Sequence, residues 1–157
     1  MIDRDLSVLR DVVESDLDAF YKQQLDPEAT RMALFPARDR PAFDKHWRKV
    51  LAREDTTVKT IVHEGEVAGN ALSWKQGDRR LVGYWLGREY WGRGLATRAL
   101  AELVGLVADR PLHAWVAPSN VASVRVLEKC GFTLVETRVE LDERLGEEIE
   151  LHRFELA

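Results

Sequence analysis

Between Thr57 and Leu86 the hydrophobic pattern changes period, and that change constrains the fold more than any other feature of the chain. Thr57–His63 (TVKTIVH), residues 67–74 and residues 80–86 (RLVGYWL) are three strand-like runs. Only Glu64-Gly65 and Gln76-Gly77-Asp78 separate them, so tight turns join the runs and the strands pair antiparallel. Upstream, the period is helical. Ser15-Asp-Leu-Asp starts a helix that runs to about Leu25, with Ser15 as N-cap and acids in the first turn. Asp26-Pro27 stops it, and residues 26–40 read as irregular. Pro41 takes the first position of a second helix whose inner face is Phe43, Trp47, Val50 and Leu51.

Downstream, a helix from about Arg93 to Ala108 presents Leu95, Ala99, Leu100, Leu103, Leu106 and Val107 on one face. Residues 112–117 form a buried-type strand, 119–130 a helix, and 132–139 and 148–156 two further strands. A short β-rich run over residues 6–13 opens the chain. The order β-α-α-β-β-β-α-β-α-β-β predicts an α/β (α+β) architecture, one mixed and mostly antiparallel sheet flanked by about four helices. No repeat, linker or shift of composition divides the 157 residues, so residues 1–157 are expected to form a single domain with a real core.

Charge and composition narrow the function. Lys and Arg number 23 against 27 Asp and Glu, a net charge of −4, so the basic footprint of a nucleic-acid binder is missing. Cys130 is the only cysteine, which excludes an intrachain disulfide and a cysteine-based zinc cluster, and no metal is expected. The first residues carry no apolar signal core, and no stretch has the roughly 20 apolar residues of a membrane span. No membrane partner is expected, and a cytoplasmic location is.

The chemistry concentrates in residues 83–97, GYWLGREYWGRGLAT. A strand runs into a loop holding Gly92 and Gly94, and a helix follows at once. Glycine lets backbone N–H groups turn toward a ligand, and the first amides of a helix have no internal partner. Together they make a phosphate seat, with Arg93 adding positive charge. The plain alternative is that the two glycines only shape a turn. A P-loop would need Gly-Lys-Ser/Thr where Gly94-Leu95-Ala96 stands, and a dinucleotide fingerprint belongs to a parallel unit rather than to the end of a meander. A second constellation follows at residues 115–132, WVAPSNVASVRVLEKCGF: a strand, a capped helix, then Gly131 and Phe132 as a helix stop.

With both segments in view, the chain resembles the GCN5-related N-acetyltransferase (GNAT) superfamily, closest to its RimJ/RimL-like branch. That family's acetyl-CoA loop, Gln/Arg-x-x-Gly-x-Gly/Ala, falls on Trp91-Gly-Arg-Gly94-Leu-Ala96, with Trp91 in place of the usual first residue. Its second signature, Asn-x-x-Ser and a Glu-Lys-x-Gly-Phe ending, falls on Asn120, Ser123 and residues 128–132. The resemblance implies the acyl-CoA N-acyltransferase fold. It also implies acetyl-CoA as cofactor and direct acetyl transfer to a primary amine, on a protein N-terminus or a small molecule, by a monomer or homodimer. The pantetheine arm would pair with Tyr84, Trp85 and Leu86. The diphosphate would lie on the amides of Trp91, Gly92, Arg93, Gly94, Leu95 and Ala96, with Thr97 nearby, and Asn120 would reach the cofactor from the facing helix. Asn120 can equally be a plain N-cap.

The catalytic groups are less well marked. The family's general-acid Tyr, four residues before Gly-Phe, is replaced by Leu127, and the early Glu base by Leu81 or a neighbour. Ser123 is the remaining candidate to protonate the leaving thiolate, against a role-free surface serine. His113 titrates in the right range for a base, against a structural strand histidine. Trp74, Trp85 and Trp115 stand on three strands and either line an acceptor groove or belong to the core. Three arginines between Arg31 and Arg40 lie where the family builds a wall of the acceptor site. Because the Tyr and Glu are missing, a catalytically silent acyl-CoA sensor is the alternative function.

Overall fold

A computed structural model describes residues 7–34, 36–143 and 146–157. One seven-stranded sheet organises it. Its strands are β1 (Leu9–Asp11), β2 (Thr57–His63), β3 (Glu66–Gln76), β4 (Arg79–Leu86), β5 (Leu112–Val116), β6 (Thr133–Asp142) and β7 (Glu147–Leu156), in spatial order β1-β2-β3-β4-β5-β7-β6. The meander expected between Thr57 and Leu86 is β2-β3-β4, antiparallel throughout. Among the described residues only β4 and β5 run parallel, and they pair at two positions, Arg80 with Leu112 and Leu81 with His113. Beyond Leu81 the two strands part. Leu6, the first residue of the expected opening run, lies outside the described residues.

Among the described residues five α-helices flank the sheet: α1 (Asp16–Gln24), α2 (Pro27–Ala33), α3 (Arg40–Ala52), α4 (Leu95–Leu106) and α5 (Val121–Lys129). The helix α2 corrects the expectation of an irregular 26–40 segment. Asp26-Pro27 does end α1, but the same pair starts α2. The Asp26 carboxylate accepts the Glu28 N–H at 3.0 Å, and Pro27 occupies the first turn, where its missing N–H costs nothing. Ser15, expected to cap α1, makes no capping bond. Asp16 orders that end instead: its carboxylate takes the Val13 N–H, the Thr60 hydroxyl and both terminal nitrogens of Arg10 at 2.7–2.9 Å. Asp39 caps α3 by accepting the Ala42 N–H, so the helix begins at Arg40, one residue before the expected first position at Pro41.

Each face of the sheet has its own apolar core. Leu95, Ala99, Leu100 and Leu103 of α4 pack with Leu127 of α5 on Ala71, Val82, Leu86, Leu112, Ala114 and Phe154. On the other face Phe20, Phe43 and Trp47 pack against Leu72 and Val58, with the Phe20 and Trp47 rings 5.0 Å apart. Leu51 and Leu106, expected inside, are 44% and 53% exposed. Both stand in the last turn of their helices; after Leu106 the chain leaves the helix and buries Val107 instead.

Candidate active site

The split between β4 and β5 is the centre of the site. Cross-strand partners share a face of a sheet, so register assigns every side chain here. Tyr84 lies opposite Ala71 and faces α4 and α5. Trp85 lies opposite Asn70, Trp74 opposite Leu81, and Leu81 opposite His113, with Trp115 two residues on. All three tryptophans therefore share the face that carries α1 and α3. The Trp85 indole N–H donates to the Gln23 carbonyl of α1 at 3.2 Å.

A cleft of about 420 Å³ runs from this split to the start of α4. Its lining includes Tyr84, Trp85, Leu86, Trp91, Gly92, Gly94, Leu95, Ala96, Thr97, Asn120 and Ser123, together with Ala29, Met32 and Ala33 of α2. A second space of about 150 Å³, lined by Gly83, Trp115, Ala117 and Leu151, shares Ala33, Tyr84, Asn120 and Ser123 with the first. Those four residues bridge the two spaces. A wall was expected from Arg31 to Arg40; its helical form, α2, was not, although the Asp-Pro start signal was readable, and Ala29, Met32 and Ala33 line the cleft while Arg31, Arg38 and Arg40 line neither space.

The loop at 92–94 is shaped as an anion seat. Gly92 and Gly94 both adopt φ of +75°, and a Cβ on either would meet nothing within 4 Å. No side chain caps α4, and among the described residues no backbone carbonyl accepts an amide from Gly92 to Thr97. Those N–H groups and the helix dipole suit a negative charge. Arg125 and Lys129, one turn apart on α5, line the same cleft and make no ion pair among the described residues. Among the described residues, neither space is lined by an Asp, Glu or His. Unclaimed amides, glycines without Cβ and two unpaired cations fit a polyanionic cofactor such as coenzyme A. Trp91, which departs from the family loop, closes the loop onto β4: its indole N–H donates to the Leu86 carbonyl at 2.9 Å. The Arg93 side chain is exposed and is not part of the lining.

At the bridge the Tyr84 and Ser123 hydroxyl oxygens are 2.9 Å apart. Burial raises the Tyr84 phenol above its usual pKa, against the lowering effect of the Ser123 hydrogen bond, so it stays protonated at neutral pH. The sequence had placed Ser123 here, and Tyr84 only for its backbone. Asn120 caps α5 by accepting the Ser123 N–H at 3.3 Å, while Ser119 makes no cap. Gly131 and Phe132 close the helix with bonds to Glu128 and Leu127, as expected.

The His113 expectation needs correction. His113 is 5% exposed, lines neither space, and its Nδ1 lies 2.8 Å from an Arg153 guanidinium nitrogen. Burial, and then the charge of Arg153, lower its pKa, so the ring is neutral and Nδ1 accepts from Arg153. Cys130, held against the Thr97 carbonyl at 3.6 Å, has its thiol pKa raised by burial and stays unreactive. Among the described residues no helix is long and apolar enough to cross a membrane.

Comparisons with known proteins bear on the family and the fold. The model of the acetyltransferase (GNAT) domain family matches residues 7–133. An uncharacterized N-acetyltransferase, p20, of Bacillus licheniformis is 28% identical, over 94% of this chain and 90% of its own. Two solved structures share the fold. A ribosomal-protein-alanine N-acetyltransferase from Brucella melitensis has a TM-score of 0.80 at 22% identity, covering 96% of this chain and 99% of its own. A spermidine N-acetyltransferase from Vibrio cholerae, in complex with CoA and spermine, has a TM-score of 0.81 at 14% identity, covering 94% and 93%. With a family model spanning most of its length and the family's loop built as an open anion seat, this chain belongs to the acetyltransferase (GNAT) domain family.

Proposed function

We propose that the chain transfers the acetyl group of acetyl-CoA to a primary amine, with donor and acceptor approaching from opposite faces of the sheet. The observation that carries this reading is the Tyr84–Ser123 hydroxyl pair, set where β4 and β5 part and shared by both spaces. Acetyl-CoA supplies an activated thioester. The Trp91 N–H, expected in the seat, is taken by the Arg88 carbonyl at 3.0 Å, so the amides from Gly92 to Ala96 would hold the diphosphate, with Thr97, Arg125 and Lys129 beside them, and β4 from Tyr84 to Leu86 would hold the pantetheine arm. As the amine nitrogen bonds to the acetyl carbon and the C–S bond breaks, Ser123 gives its proton to the departing sulfur and takes back the proton that the amine nitrogen sheds. Tyr84, buried and protonated, donates to the Ser123 oxygen and so leaves the serine's own proton directed into the cleft. His113 takes no chemical step.

The lining also selects the acceptor. With no carboxylate or imidazole among the described lining residues, the amine must arrive neutral. A peptide α-amine with pKa near 7.8 is roughly 10–15% neutral at pH 7, whereas an alkylamine near 10.4 is about 0.04% neutral. The two cleft cations further disfavour a polyamine. The acceptor is therefore an α-amino group, as on a protein N-terminus or an amino-acid derivative.

An amine panel with thiol detection tests this. Peptides with free α-amines should release CoA and spermidine should not, and Ser123→Ala should lower kcat at least about tenfold with acetyl-CoA affinity unchanged. Acetyl-CoA binding without thiol release from any amine would instead identify a silent acyl-CoA sensor.

A further inference from the structure

The second space differs from the cleft in kind as well as in size. Its volume is about 150 Å³, and it meets the cleft at Tyr84, Asn120 and Ser123. Apart from those three, every described residue that lines it is glycine, alanine, valine, leucine or Trp115. No Lys, Arg, Asp, Glu or His stands among the described lining residues, whereas Arg125 and Lys129 line the cleft. Register divides the lining unequally between the faces of the sheet. Val82, Ala114 and Val116 stand on the face that carries α4 and α5, and Leu100 and Leu127 pack with them. Of the other face, the strands contribute only Gly83, Trp115 and Leu151. Most of the lining therefore lies on the donor's side, beyond the hydroxyl pair.

We propose that this space receives the tail of an acyl group longer than acetyl, so that the chain also transfers straight-chain acyl groups of about four to six carbons, which rests on the proposed seating of coenzyme A in the cleft. A thioester carbon placed at Tyr84 and Ser123 has the space directly ahead of it. An apolar cavity of about 150 Å³ stays dry and takes a molecule the size of benzene, so a tail of about two to four further carbons fits. Each methylene moved from water into such a lining tightens binding about fourfold. A carboxylate at the end of the tail would be buried with no cation beside it and would lose that gain. The bond changes are those of acetyl transfer. The amine nitrogen bonds to the acyl carbon, the carbon–sulfur bond breaks, and the proton that the amine sheds reaches the sulfur by way of Ser123. The acceptor keeps its own approach, from the face of Trp115 and Leu151.

Calorimetric titration of the full chain with acetyl-, butyryl-, decanoyl- and succinyl-CoA tests the space without an acceptor. Butyryl-CoA should bind about tenfold tighter than acetyl-CoA. Succinyl-CoA, equal in length but ending in a carboxylate, should bind at least about tenfold weaker than butyryl-CoA. Decanoyl-CoA, whose tail exceeds the space, should also bind weaker than butyryl-CoA. Butyryl-CoA no tighter than acetyl-CoA, a succinyl-CoA that matches it, or a steady gain through decanoyl-CoA overturns the proposal. Ala114→Leu grows into the space and should return butyryl-CoA to the affinity of acetyl-CoA, with the acetyl-CoA thermal shift unchanged; a butyryl preference kept in that variant also overturns it. With a peptide α-amine as acceptor, butyryl-CoA should release thiol at a kcat/KM within about tenfold of acetyl-CoA, and no release where acetyl-CoA releases it counts against the proposal. Failure of the acetyltransferase reading itself looks different. Acetyl-CoA then does not bind, or releases no thiol to any amine, and either result takes the longer donors with it.

Discussion

Replacing Gly94 by Val tests the anion seat against the view that its glycines merely turn the chain. Gly94 has φ of +75° and Gly77, in the β3–β4 turn, has φ of +63°, and a Cβ on either would meet nothing within 4 Å. Each substitution forces a branched side chain into the left-handed region at a cost of about 1–2 kcal/mol, roughly 2–8 °C in Tm for a domain of this size. Neither adds a clash with the protein. The two variants should therefore lose similar stability and both remain folded. They should differ in binding. At Gly94 the new side chain occupies the space in front of the α4 amides. Losing two charge-assisted hydrogen bonds at about 1.5 kcal/mol each is about 3 kcal/mol, or roughly 100-fold in Kd. Wild type and Gly77→Val should gain about 2.7 kcal/mol of stability at 100 times the acetyl-CoA Kd, and Gly94→Val should gain almost none at that concentration. Calorimetric titration and thermal melts of the three proteins give both quantities. Equal acetyl-CoA affinity in the two glycine variants would refute the seat.

Three further outcomes follow from the geometry. Tyr84→Phe should lower kcat without changing acetyl-CoA affinity, and added to Ser123→Ala it should cost nothing more, because Tyr84 acts only through Ser123; additive losses in the double-mutant cycle would separate the two roles. Burial alone would raise the Asp16 pKa, but Arg10, the Val13 amide and the Thr60 hydroxyl bring it from 3.8 to about 2. This folded value lies below the unfolded one, so the stabilisation, about 2 kcal/mol, is present above the unfolded pKa and disappears as pH falls through the folded one. Urea unfolding of Asp16→Asn should show that loss at neutral pH and a flatter acid limb. Gly69→Ala would place a Cβ 2.0 Å from the Trp85 carbonyl oxygen, and forcing β3 and β4 apart should cost about 3 kcal/mol, read as a fall in Tm with weakened acetyl-CoA binding.

What the chain determines by itself is whatever depends on neighbours a few residues away. The meander follows from two tight turns between runs of period two. The open loop before α4 follows from Gly92 and Gly94 standing just before an apolar helical stripe, because positive φ and uncapped amides are local properties. The stop at Gly131-Phe132 and the cap at Asn120 are local in the same sense. Even α2 had a local sign in Asp26-Pro27, which marks a helix start as well as a helix end. Tertiary structure alone decided the rest. Tyr84 meets Ser123 across 39 positions, and Arg153 claims His113 across 40, so no spacing in the sequence shows either pairing. Which face a strand residue takes depends on register between strands, and a shift of one residue would exchange Tyr84 for Trp85 at the hydroxyl pair. Packing between elements, not the propensity of any one of them, set the chemistry where β4 and β5 part.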